Sequence, residues 1–176
     1  MSISVLVGAQ WGDEGKGKMV DYFAEQSDLI VRFQGGDNAG HTVINDYGVF
    51  KFHLISCGIF NKNCQCLIGT GVVVNPDVLL EEMQQLTEAK VTLSGLKISA
   101  KAHILMPYHQ KLDELMEASG GIGTTKRGIG QAYAYKAMRK SLRFEDLLNL
   151  AGAKKKLENI VPVVNRQMSS YDIEPY

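Results

Sequence analysis

Asp13, Glu14, Lys16, Lys18 and His41 are the side chains whose types and spacing could do chemistry together. The first four sit in Gly8-Ala9-Gln10-Trp11-Gly12-Asp13-Glu14-Gly15-Lys16-Gly17-Lys18. From Gly12 to Lys18 this stretch fits G-x-x-x-x-G-K, a loop whose backbone N–H groups cradle phosphate. The fit stops at Met19, where a phosphate loop normally places a hydroxyl on magnesium. Two carboxylates inside such a loop repel a triphosphate unless a metal lies between them or one of them does chemistry. Asp13 is thus a metal ligand, a general base, or both. The plainer alternative is a tight turn whose acids face water. A second glycine-rich stretch, Gln34-Gly35-Gly36-Asp37-Asn38-Ala39-Gly40-His41-Thr42, offers an imidazole between Gly40 and Thr42. Placed opposite a phosphate loop, His41 suits acid–base work better than the role of a hydrogen-bonded loop histidine. A third, Ser119 to Gly130, combines glycines with Thr124, Thr125, Lys126 and Arg127, which suit an anion.

These loops need elements to position them. Ile3–Val7 reads as a buried strand feeding the first loop, and 16–26 as the helix leaving it, with Met19, Val20, Phe23 and Ala24 as its apolar residues. Residues 29–33 form a second strand, so both loops leave strand ends and face one crevice. A hairpin follows over 42–46 and 49–55, turned at Asp46-Tyr47-Gly48, with short strands at Leu67-Ile68 and Val72–Val74. Asn75-Pro76-Asp77 starts a helix whose stripe is Val78, Leu79, Met83 and Leu86. A strand over 96–99 precedes a helix opened by Pro107, with Leu112, Leu115 and Met116 on its core face. The helix after the third loop carries Tyr133, Ala137 and Met138 and ends in Arg139-Lys140. Short and long helices over 144–150 and 153–168 complete the pattern, before a tail without period. The alternation specifies an α/β fold that is P-loop-NTPase-like: a largely parallel central sheet flanked by helices, with an inserted β-hairpin. Residues 1–150 form the nucleotide-binding region and 151–176 a helical segment and tail.

Lys plus Arg equals Asp plus Glu at 19 each, so net charge calls for neither nucleic acid nor membrane. No 18-residue apolar run occurs, and the chain enters its first strand without a secretory leader. Cys57, Cys64 and Cys66 lack framework spacing and read as reduced, structural thiols of a cytoplasmic protein. His53, His103 and His109 have no loop setting like that of His41 and read as structural or exposed.

The first two loops together, with Gly123-Thr124-Thr125-Lys126-Arg127-Gly128-Ile129-Gly130, closely resemble the signature segments of adenylosuccinate synthetase, in family order from residue 3 to about 150. The resemblance implies condensation of IMP with L-aspartate at the expense of GTP, giving adenylosuccinate, GDP and phosphate through a 6-phosphoryl intermediate. It implies Asp13 as the base at N1 of the purine and His41 as the acid supporting the departing GDP. Mg2+ would be held by Asp13 and the Gly40 carbonyl. GTP would lie against Gly12, Asp13, Glu14, Gly15, Lys16, Gly17 and Lys18 with Gly40, His41 and Thr42. IMP would face Asp13, Glu14, Gly15 and Lys16, then Asn38, Ala39, Gly40 and His41, with Thr125 on its 5′-phosphate. Arg139 would reach the IMP of a partner subunit in a homodimer; on residue type alone it is a solvated helix end.

Asp37 stands where relatives commonly have histidine, and Gln131 where they have proline. Family chains run to more than twice this length, so this is expected to be an N-terminal portion, incomplete relative to the full fold and without turnover alone. The guanine-reading and aspartate-binding segments would lie beyond Tyr176. Competing readings are a relative acting on another purine nucleotide, a non-catalytic phosphate-binding module, and a generic P-loop GTPase. The last is disfavoured by Met19 and by the two acids in the loop.

Overall fold

The apolar run that was expected to open the sheet does not form a strand. In the structure, a computed structural model describing residues 2–10 and 14–171, Ile3 to Val7 pairs with no strand, and Ile3 is 89% exposed. An apolar run becomes a strand when a neighbouring edge takes its backbone groups, and among the described residues none does. The first helix, α1 (Lys16–Ala24), therefore follows a loop that does not hang from a strand end.

The parallel strands lie further along the chain. β1 (Leu29–Arg32), β4 (Gln65–Ile68) and β6 (Leu96–Ile98) form a sheet in the order β1-β4-β6, with Leu29 opposite Gln65 and Cys66 opposite Leu96. Between β1 and β4 comes the antiparallel hairpin of β2 (His41–Asn45) and β3 (Gly48–Phe52). Its Asn45–Gly48 closure makes Asp46-Tyr47 the two-residue turn. A second parallel pair, β5 (Val73–Val74) and β7 (His103–Ile104), continues from the second loop through a Gly35–Val72 bridge. β7 was not foreseen, because two paired residues leave no periodic signature.

Five helices include α2 (Pro76–Glu88), α3 (Pro107–Ala118), α4 (Ile129–Ala137) and α5 (Leu150–Ser169) among the described residues. Asn75 caps α2 as expected, taking the Asp77 N–H at 3.1 Å. The short helix expected over 144–150 is a 3-10 helix, Phe144–Leu148. Met116 faces solvent rather than the core, whereas Leu112 is buried. Phe50, Phe52, Leu54, Ile68 and Leu86 lie in one core between the hairpin, the sheet and α2. Tyr108, Leu112, Tyr135, Val164 and Met168 form another, where α5 covers α3 and α4. The three cysteines are buried and unpaired, and burial pushes the Cys57 and Cys66 thiols up to about 12. They are inert structural groups. No described helix is long and apolar enough to cross a membrane.

Candidate active site

Gly12 and Asp13 lie outside the described residues, so the first loop is seen from Glu14 onward. Glu14 accepts the Gln10 N–H at 3.1 Å and pairs with the Lys16 ammonium. Gly15 is the N-cap of α1 with φ +76°, a left-handed conformation that a β-carbon would strain. No side chain caps this helix and its first turn carries no acid, among the described residues. The N–H groups at a helix start without a side-chain cap are the kind of donors that bind phosphate.

Gly17 brings the first and second loops together. A β-carbon there would stand 2.8 Å from the His41 β-carbon, so α1 meets the start of β2 at a distance that glycine alone permits. His41 pairs across the hairpin with Phe52, and the two rings meet edge to face at 6.0 Å. Burial holds the His41 pKa below its ordinary value, and the Arg32 and His53 charges lower it further. Both effects favour the neutral imidazole.

A scaffold under the second loop fixes this placement. A β-carbon on Gly40 would fall 2.8 Å from His53 Nε2, so the backbone runs close over that ring. The Arg32 guanidinium donates to the carbonyls of His53 and Gly36. Glu82, 2% exposed on α2, accepts the N–H groups of His53, Leu54 and Ile55, the last at 2.8 Å. Burial raises the Glu82 pKa while those amides and His53 oppose the rise. From α4, the Tyr133 hydroxyl accepts the Gly35 N–H at 2.8 Å and donates to the Gly71 carbonyl at 2.7 Å.

The third loop is tied to α3. Glu117 accepts the N–H groups of Gly123 and Thr124 at 2.8 and 3.1 Å, and Asp113 takes that of Gly128 at 3.0 Å. Thr125 is exposed beside them. Arg139 stands elsewhere, at a cavity of about 560 Å³ walled by His103, Lys136, Lys140, Arg143 and Lys156, which no described residue of the first or second loop lines. It follows α4 in a left-handed conformation, φ +60°, with Arg139 N–H to Lys136 O at 3.0 Å and Lys140 N–H to Tyr135 O at 2.9 Å. This is a Schellman helix end with arginine in the place that favours glycine.

A family model described as adenylosuccinate synthetase matches residues 5–176. The chain belongs to the adenylosuccinate synthetase family. Adenylosuccinate synthetase 1 of Methanosarcina acetivorans is 59% identical over 178 residues, taking in 100% of this chain and 42% of that protein. The Prochlorococcus marinus (strain MIT 9301) synthetase is 48% identical and covers 99% of this chain and 41% of its own. The chain thus spans about two fifths of these relatives' length. Among solved structures, the fully ligated synthetase of Plasmodium falciparum superposes with a TM-score of 0.80 at 39% identity, over 96% of this chain and 40% of that one. A cyanophage S-2L succinoaminodeoxyadenylate synthetase, bound to dGMP and dATP, gives 0.59 at 26% identity, over 74% and 36%. The α/β fold with parallel strands agrees with these matches.

Set against the family, sequence reasoning found the loops and missed what holds them. Arg32 and Glu82 carry no role in the sequence reading, His53 reads there only as structural or exposed, and Tyr133 only as a residue of the helix after the third loop. Glu82 had a readable signal, because it falls on the α2 stripe with Leu79 and Leu86. A carboxylate on a buried stripe must find donors.

Proposed function

We propose that this chain supplies the phosphate-, metal- and IMP-facing part of an adenylosuccinate synthetase. The whole enzyme condenses IMP with L-aspartate at the expense of GTP in AMP synthesis. The observation that carries this reading is the meeting of Gly17 and His41, which sets an imidazole beside an uncapped, lysine-bearing helix start. Asp13 takes the N1 proton of the purine, so that the C6 oxygen attacks the γ-phosphate of GTP. The amine of aspartate then displaces the phosphate from the 6-phosphoryl intermediate. His41 acts as the acid for the departing GDP. Recharging of its imidazole by the triphosphate prepares it for that role. Lys16 leaves Glu14 for phosphate, and Lys18 and the α1 amides orient the transferring group.

A carboxylate from Asp13 and the Gly40 carbonyl form a hard-oxygen donor pair that suits Mg2+. The close approach of Gly40 to His53 fits such a site by holding that carbonyl on a fixed backbone. When bound, Mg2+ supplies charge neutralisation at the phosphates. Glu14, Gly15, Asn38, Ala39 and Thr125 face IMP. Arg139 acts on the IMP of a second subunit, a role supported by its separate cationic cavity.

The reading is tested by joining this chain to the remaining C-terminal part of the Methanosarcina relative. The chimera should form adenylosuccinate from IMP, aspartate and GTP. Asp13→Ala or His41→Ala should each lower kcat by about 100-fold or more. A kcat near that of the unmodified chimera in either variant would remove the acid–base assignment.

A further inference from the structure

Asp37 is 1% exposed, yet the chemistry above gives it no part. Its Oδ2 accepts from Asn75 Nδ2 at 3.2 Å and lies 3.6 Å from Arg127 Nη1. Its Oδ1 is buried with no hydrogen-bond partner among the described residues. A buried carboxylate has to be compensated by cations and donors that face it. The Arg127 guanidinium of the third loop and the Asn75 amide do so here. Asn75 is the α2 cap, so this carboxylate is rooted on a helix.

We propose that Asp37 is a positioning residue, fixing the third loop over the second through the Arg127 guanidinium. The bonds from Glu117 and Asp113 hold the third loop to α3, its own neighbour in sequence. The Asp37–Arg127 pair crosses to the loop that carries Asn38 and His41. Arg127 is 44% exposed at its side chain in an otherwise exposed loop, so without Asp37 it would sample solvent. With Asp37 in place, leaving would strand a buried charge, so the guanidinium stays beside the second loop. The importance of this position for catalysis rests on the reading that both loops face IMP.

Trypsin reads this latch directly, because it must extract the side chain after which it cuts, and Lys126 beside Arg127 is an internal control. Initial cleavage rates after each residue are measured by mass spectrometry for the 176-residue chain and for an unstructured peptide of residues 119–131. The chain should show the Arg127-to-Lys126 ratio suppressed by about fivefold or more relative to the peptide. Asp37→Asn should restore the peptide ratio while the thermal midpoint and Lys126 cleavage stay unchanged, and Asp37→Glu should regain part of the suppression. A chain ratio equal to that of the peptide overturns the proposal. So does an Asp37→Asn variant that loosens both sites together with a fall in midpoint. If Asp37→Asn does not fold, the wild-type ratio decides alone. Added IMP should slow cleavage after both residues in the wild-type chain. Lack of that protection removes the IMP reading and leaves the ligand-free ratio as the measure of the latch.

Discussion

Replacing Arg139 by glycine should make the fold more stable while impairing function. Arg139 occupies the C′ position of the α4 Schellman end at φ +60°. A left-handed L-residue costs about 1–2 kcal/mol, and glycine does not bear that cost. Glycine loses more backbone freedom on folding, which returns roughly 0.5–1 kcal/mol of the gain. Removing one of the cations around the cavity relieves repulsion of about 0.5 kcal/mol, the scale for exposed like charges in water. The net expectation is a gain of about 0.5–2 kcal/mol. Arg139→Ala separates the contributions, since it removes the charge and keeps the β-carbon. In an ordinary helix interior, glycine is the less stable of the two by about 1 kcal/mol. Here the order should invert. Urea unfolding of the three chains, followed by far-ultraviolet circular dichroism, measures it. An Arg139→Gly chain less stable than Arg139→Ala would show that the helix end is not strained by its side chain. In the chimera, the same Arg139→Gly change should raise the KM for IMP by about tenfold to a hundredfold, the loss of one charge-assisted hydrogen bond.

Gly17→Ala gains up to about 1 kcal/mol of helix propensity but places a β-carbon against His41. Overall stability should change little while the His41 ring resonances shift and chimera kcat falls; unaltered resonances and kcat would refute the contact. Burial brings His109 down to about 4, so between there and 6.5 the unfolded chain binds more protons than the folded one. That stability is fully present above about pH 6.5 and is lost as pH falls towards 4, amounting to about 3 kcal/mol. His109→Asn should flatten this acid limb in urea titrations, and an unchanged limb would exclude His109. Tyr133→Phe removes the acceptor of Gly35 N–H and the donor to Gly71 O. It should cost about 1–3 kcal/mol in urea unfolding, and a loss below a few tenths would mean that those groups find other partners.

Local signals were legible and distant ones were not. Asn75-Pro76-Asp77 announced the cap of α2, and Asp46-Tyr47-Gly48 announced the hairpin turn, because both structures close within a few residues. The three glycine loops stood out by composition, and the first two do meet at Gly17 and His41. Ile3–Val7 failed as a strand because its reading assumed a pairing edge that composition cannot supply. Met116 failed because a helical stripe marks a face without saying how far the neighbouring element reaches along it. Arg32 reaches the His53 carbonyl and Tyr133 the Gly35 and Gly71 backbone, groups far from them in sequence, and a guanidinium or phenol carries no mark of which carbonyl it will meet. The left-handed arginine was hidden for the opposite reason: the usual marker of a helix end, glycine, is missing there.

The bond from Gly35 to Tyr133 spans 98 residues. During synthesis at about 5–20 residues per second, the second loop leaves the ribosome roughly 5–20 s before the tyrosine that secures it exists. The hairpin beyond it closes within microseconds of its own completion. The β2–β3 ladder that holds His41 is complete in sequence at Phe52, whereas the bond that secures Gly35 can close only once Tyr133 has been made, so the two supports of the site are assembled in a fixed order.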